Sequence, residues 1–425
     1  MKFTSYWHDT APRFEGATQG PVAGKADVVV VGAGFTGLGA ARALAQAGHK
    51  VVVLESEHVG FGASGRNGGH LNNGLAHGYL HAKEQFGPEK AKEMYLAFDE
   101  GIATIERLIA EEGIDCDFRR SGKLKLASKP GHYEGIARNF EAIHADVDPD
   151  TALLSRADLA GEIRSDAFHG AMLQHRSAMM HMGKFVVGLA TAAARHGAAI
   201  HEHAPVTGIR RSGDGWVVET PRGSIEAGKL FLATGAYTTP TFGWFRRRIV
   251  PVGSFILATR PLTVDEVAAT MPGNRTCVTS LNVGNYFRLA PDNRLIFGGR
   301  ARFSARSDQQ SDARSGAILQ EGLARIFPQF AGIEIDHCWG GLVDMTKDRF
   351  PRAGEQGGIF YSMGYSGHGA QIATHMGEIM ADLMTGRIDR NPWAHLPWRA
   401  VPGHLGTPWF LPVVGAYYKM LDRVR

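Results

Sequence analysis

Cysteine is scarce in this chain: Cys116, Cys277 and Cys338 are the only three among 425 residues, too scattered for a CxxC pair or a zinc-type Cys/His cluster. That excludes a disulfide-stapled secreted scaffold and suggests a reducing compartment, the cytoplasm. Long apolar runs are also missing. Nothing between Met1 and Phe14 resembles a signal-peptide core, and nowhere do the roughly 18 uninterrupted apolar residues of a bilayer span occur. A soluble chain with no membrane partner is expected. Nor does one sign of charge dominate: 46 Lys+Arg against 42 Asp+Glu leave +4, and the basic residues are dispersed apart from Arg246-Arg247-Arg248. No nucleic-acid partner and no metal are therefore expected. What the chain has in quantity is glycine, 54 residues, and where the glycines gather is informative.

Asp27-Val-Val-Val-Val-Gly32 reads as a buried parallel strand ending in glycine. The run Gly32-Ala33-Gly34-Phe35-Thr36-Gly37 follows, then an apolar helical pattern to about Gly48, then a second strand, Lys50 to Leu54, closing on Glu55 and Ser56. Each position has a physical task in binding a dinucleotide. Gly32 makes the tight turn, Gly34 lets backbone N–H groups approach a pyrophosphate, and Gly37 lets helix and strand pack closely. The helix start, with Phe35 and Thr36, supplies partial positive charge. Glu55 is placed to accept ribose hydroxyls and to repel a 2′-phosphate. This motif alone does not separate NAD from FAD.

Beyond Glu55 the stretch Gly60-Phe61-Gly62-Ala63-Ser64-Gly65-Arg66-Asn67-Gly68-Gly69 offers successive N–H groups and one arginine, suited to an anion reaching past the first phosphate site. Far along the chain stands Gly364-Tyr365-Ser366-Gly367-His368-Gly369, between a strand over 360–364 and a helix over 371–383. With the nucleotide motif, these elements resemble the D-amino-acid-oxidase superfamily of FAD enzymes. Within it, Tyr6-Trp7, Asp115-Cys116-Asp117, Tyr286-Phe-Arg288 and Gly415-Ala-Tyr-Tyr418 are most similar to the gamma-glutamylputrescine oxidase branch.

The resemblance implies an α/β fold: a Rossmann-type FAD-binding domain interleaved with an antiparallel-sheet α+β substrate domain. Residues 1–85, about 150–240 and 340–400 would form the first. About 86–149 and 241–339 would form the second with its covering helices, and 401–425 a tail. It further implies that Val206, Thr234 and Gly235 flank the cofactor and that the helix after Gly364, Gly367 and Gly369 aims its positive end at the flavin. Tyr365 and His368 are the catalytic candidates, with a backbone-only role open to His368. Tyr286, Arg288 and His70 are the substrate-side candidates. Two departures stand out: where relatives attach flavin through cysteine this chain has Gly341, and where they place an oxygen-activating lysine it has Ile296. FAD is therefore expected to be non-covalent, and the acceptor is oxygen or another electron acceptor. The implied activity is oxidation of an amine such as gamma-glutamylputrescine. Two alternatives are a peripheral membrane dehydrogenase of a hydroxy or amino acid feeding quinone, suggested by Trp409-Phe-Leu-Pro-Val-Val and Lys419, Arg423 and Arg425, and an RNA-modifying flavoprotein, suggested by Arg246-Arg247-Arg248.

Overall fold

The computed structural model describes residues 1–299 and 313–424; Arg425 lies outside them. Two eight-stranded sheets organise the described chain. The first is built on parallel pairs. Lys25–Val31 lies between Gly223–Leu232 and Val51–Leu54, the sheet extends through Ala199–His201 on one side and Ile359–Met363 on the other, and Arg352–Gln356 closes that edge antiparallel. Val28 to Val31 are all buried, as the unbroken β-branched run requires of a strand covered on both faces. Helix Phe35–Gln46 packs over this sheet with Met182–Arg195 on one side and Ala373–Thr385 on the other.

The second sheet runs in the order Ile335–Met345, Val250–Pro261, Arg294–Gly299, Asn285–Leu289, Thr276–Thr279, Lys123–Leu126, Gly170–Gln174, Ala152–Ser155. It is antiparallel except where Thr276–Thr279 meets Lys123–Leu126. The sequence reading placed residues from about 150 with the nucleotide unit and those from 340 likewise. Instead Ala152–Ser155, Gly170–Gln174 and the whole of Ile335–Met345 pair into the second sheet. Their short apolar runs do not reveal which sheet edge they extend.

Helix Pro88–Glu112 has local signals at both ends. Proline sits at its first position, where the missing N–H is harmless, and Gly113 ends it at φ 65°. Its buried stripe of Met94, Phe98, Ile102 and Ile105 is core. At the far end of the chain, Leu411–Val424 lies on the second sheet's side with Leu411 and Gly415 inward. No helix among the described residues is long and apolar enough to cross a membrane.

Candidate active site

A cavity of about 530 Å3 runs between the two sheets, within the size range of ligand clefts (roughly 300–1,000 Å3). Its first end is the nucleotide motif. Gly32 turns the chain at φ 106°, and a Cβ there would stand 2.9 Å from the Ala233 carbonyl oxygen. Gly34 caps the Phe35–Gln46 helix, and a Cβ on it would press on Ser64 Oγ at 2.8 Å. Ser64 Oγ accepts the Phe35 N–H at 2.9 Å. Thr36 next lines the cavity, at a helix start that leaves its N–H donors without an intrahelical acceptor. Glu55 is locked in place: Oε2 accepts the Ala33 N–H at 2.8 Å, and Oε1 accepts the Glu57 N–H at 3.0 Å and the Ser56 hydroxyl at 3.1 Å. Glu55, Ser56 and Val206 form the cavity wall here.

The glycine-rich loop is held from behind. The Ser5 hydroxyl donates to the Gly65 carbonyl at 2.7 Å, the Trp339 indole to that of Arg66 at 2.9 Å, and the Trp7 indole to that of Asn67 at 2.6 Å. Three successive carbonyls are thereby tied into the protein behind the cavity wall. Arg66 lines the cavity while donating to the Phe61 and Gly340 carbonyls, and burial pulls its pKa down from the ordinary value. Ala63, Ser64, Asn67 and Gly68 line the wall with it. Gly37, Gly65, Gly69 and Gly364 do not line it. Gly37 packs on the Gly32 carbonyl, Gly65 on His8 and the Gly60 carbonyl, Gly69 on the Arg288 guanidinium and Gly364 on Thr346. They allow close packing behind the cradle; their glycine identity alone does not distinguish that from ligand contact.

At the other end, Gly364 takes φ 80°, Ser366 φ 55° and Gly367 φ 89°. The turn hangs on Asp344, whose carboxylate accepts the Gly364 N–H at 2.6 Å and whose carbonyl accepts the Ser366 N–H. Burial pushes the Asp344 carboxyl up to about 6, against the lowering effect of its backbone N–H bonds. Gly367, His368 and Gly369 line the cavity, as do Thr234 and Gly235. Tyr365 lines it too, but its hydroxyl sits 2.9 Å from Thr36 Oγ1 and 2.7 Å from Ser362 Oγ. Through these contacts Tyr365 ties the nucleotide helix to the turn. Helix Ala373–Thr385 follows, two residues later than the spacing suggested.

The cavity wall facing the nucleotide motif is formed by the second sheet, where the sequence places its substrate-side candidates. Tyr286 lines it, its hydroxyl 3.1 Å from Ser254 Oγ. Arg288 does not. It is buried beneath the 66–70 loop, donates to the Met180 carbonyl at 2.9 Å and stacks 5.1 Å from the Trp7 ring. Burial lowers its pKa to about 9. Alternation puts Tyr286 and Arg288 on one sheet face, but the loop covers only the latter. His70 reaches the wall with its ring nitrogens 3.0 Å from the Gly68 carbonyl and 3.2 Å from that of Phe287, and burial lowers its pKa to about 3. It bridges the loop and the sheet while remaining on the cavity wall. Lys125, which the sequence reading passed over, opens on this side. No cysteine lines the cavity among the described residues; all three are buried elsewhere.

The chain itself fits FAD: a locked acid for the ribose, a helix start for the pyrophosphate, and a second turn across the cavity. Known proteins agree. A family model described as DAO, FAD dependent oxidoreductase, matches residues 27–383. The gamma-glutamylputrescine oxidoreductase of Escherichia coli (strain K12) is 33% identical over 94% of this chain and 93% of its own. A probable oxidoreductase OrdL of Haemophilus influenzae is likewise 33% identical over 94% and 93%. Among solved structures, glycine oxidase from Geobacillus kaustophilus superposes with a TM-score of 0.74 at 23% identity, covering 89% of this chain and 99% of that one. L-proline dehydrogenase from P. horikoshii gives 0.72 at 20%, covering 92% and 98%. With the nucleotide cradle, the turn on Asp344 and these matches together, the chain belongs to the DAO family of FAD-dependent oxidoreductases.

Proposed function

We propose that the protein oxidises the C–N bond of an amine, a polyamine derivative such as gamma-glutamylputrescine being the leading candidate. The observation that carries this reading is the match along 94% of the chain to an oxidoreductase named for that compound. Two further relatives, named for glycine and L-proline, also take amino compounds by name. When bound, FAD supplies the hydride acceptor. The chain's own part is to hold the amine uncharged and oriented. Both carboxylates that the described residues give the cavity wall, Glu55 and Asp344, are already occupied by N–H donors, and Lys125 and Arg349 add positive charge. An ammonium is disfavoured in such surroundings, whereas the neutral amine with its free lone pair is the form that gives up hydride. His368, on the wall beside Gly367, serves through the backbone of the turn.

The test is anaerobic bleaching of the yellow holoenzyme by a panel of amines and 2-hydroxy acids, followed by peroxide measurement in air. Amines should bleach it, faster at higher pH, and hydroxy acids should not; the reverse would leave the family intact and the reaction wrong. Peroxide identifies oxygen as acceptor. One feature favours a membrane-borne acceptor as the second reading: Val413, Tyr417, Met420 and Val424 form an exposed apolar stripe on the C-terminal helix, beside Lys419 and Arg423. Flotation with anionic vesicles checks it, and no vesicle binding rejects it.

A further inference from the structure

The strand Lys123–Leu126 lies inside the second sheet, between Thr276–Thr279 and Gly170–Gln174. Its leucines, Leu124 and Leu126, are fully buried in the core of that sheet. Alternation sends both lysines to the opposite face, which is covered as well. Lys123 has company there: its ammonium donates to the Asn73 carbonyl at 2.7 Å and feels the negative charges of Asp99 and Asp148. Lys125 has much less. Its Nζ reaches one acceptor, the Thr279 carbonyl at 3.2 Å, and forms no ion pair among the described residues. An ammonium offers three donors, so two are left over, and the side chain opens on the cavity.

Among the described residues, its surroundings do not supply the missing negative charge. Asn72, Ser280 and Asn282 are neutral neighbours on the cavity wall, and Arg349 is a second cation, donating to the Tyr418 hydroxyl. The wall carboxylates are tied to the Ala33 N–H at the nucleotide motif and to the Gly364 N–H at the turn. A deeply placed cation with open donors in a substrate chamber is matched by an anionic group that arrives with the substrate. Burial lowers the Lys125 pKa to about 8; a bound carboxylate would favour the charged form again.

We propose that Lys125 is the anchor for a carboxylate on the substrate, so that the preferred amines carry a carboxylate separate from the reacting nitrogen. This rests on the amine reading above and goes beyond it by naming the second recognition element and the residue that holds it. Lys125 sets specificity in this scheme and takes no part in the bond changes.

The experiment compares matched pairs of amines, each an N-acyl diamine or amino acid ending in a carboxylate against the same molecule ending in a carboxamide, at several chain lengths. Wild-type holoenzyme should prefer the carboxylate member of the best pair by about 10- to 100-fold in kcat/KM, mostly through KM, the range expected of a charge-assisted hydrogen bond. In K125M and K125Q that ratio should fall to within about threefold of unity, and K125R should restore part of it. Flavin absorbance and the far-ultraviolet dichroism of each variant check that it has folded and kept its cofactor. A wild-type enzyme indifferent to the carboxylate overturns the proposal, as does a ratio that survives in folded K125M or K125Q. Equal loss of kcat on both members with the ratio intact overturns it too and assigns Lys125 to the chemistry. If no amine of either kind bleaches the flavin, it is the proposed reaction that fails.

Discussion

Glu55 and Gly34 guard the same ligand by different physics, and their variants should separate accordingly. A side chain at Gly34 would enter the space of Ser64 Oγ at the mouth of the phosphate site. Gly34→Leu should therefore purify colourless. Glu55→Gln keeps an acceptor for the Ala33 N–H but loses the charge, so it should bind FAD more weakly by about 1.5–3 kcal/mol, read by fluorescence titration of the apoprotein. Asp344 makes a prediction in pH. Its folded pKa, raised from 3.8 to about 6, means that the native state keeps a proton which the unfolded chain has already released between those values. The stability associated with that proton is fully present below about pH 4 and is lost as pH rises through 6, on the order of 3 kcal/mol in all. Asp344→Asn retains an acceptor for Gly364 but cannot titrate. The difference in denaturation free energy between wild type and Asp344→Asn should therefore change across pH 4–6 and be flat above 7; a flat difference throughout would show that the carboxyl is not strained.

Two helices, Phe35–Gln46 and Ala373–Thr385, bring the two ends of the cradle into register because glycine lets their backbones touch. A Cβ on Gly39 would lie 2.6 Å from the Thr374 carbonyl, and one on Gly377 would run into the Thr36 carbonyl and the Ala40 N–H. Gly377→Val should destabilise by about 1–3 kcal/mol, as overpacking does, and should shift Thr36 away from Tyr365. Loss of FAD retention alongside a lower Tm is the expected outcome; a lower Tm with full retention would mean that the two ends are positioned independently. At this scale sequence reading worked where structure is local. The strand, turn and helix around Gly32, the helix from Pro88 to Glu112 and the turn at Gly364 are each written within a few residues of chain. It stumbled where the outcome depends on distant cover. Lys123-Leu-Lys-Leu126 has the alternation of a strand with one wet face, and only the sheet's position shows that the lysine face is enclosed. Arg288 shares a face with Tyr286, but how far the 66–70 loop reaches over that face is not written beside it.

The molecule as a whole braces its cavity with chain far from the nucleotide motif. Asp422, on the Leu411–Val424 helix, accepts the N–H groups of Asn282 at 2.9 Å and Val283 at 2.8 Å, and Asn282 lines the cavity. Asp422→Ala should loosen that loop, raising KM while leaving flavin content and kcat close to wild type. An equal fall in kcat would show that the loop shapes the reacting geometry as well. The order in which the sheet is assembled has a consequence for the protein's biosynthesis. Lys25–Val31 leaves the ribosome early, but its neighbour Gly223–Leu232 follows only much later, and that strand's other partner, Ile359–Met363, follows later still. The turn on Asp344 comes after that. A nascent chain therefore cannot hold the cofactor until almost all of it has been translated, and its early strands wait with open edges. Cells short of riboflavin should accumulate this polypeptide as a protease-sensitive form, and flavin supply during expression, more than temperature, should set the yield of intact enzyme.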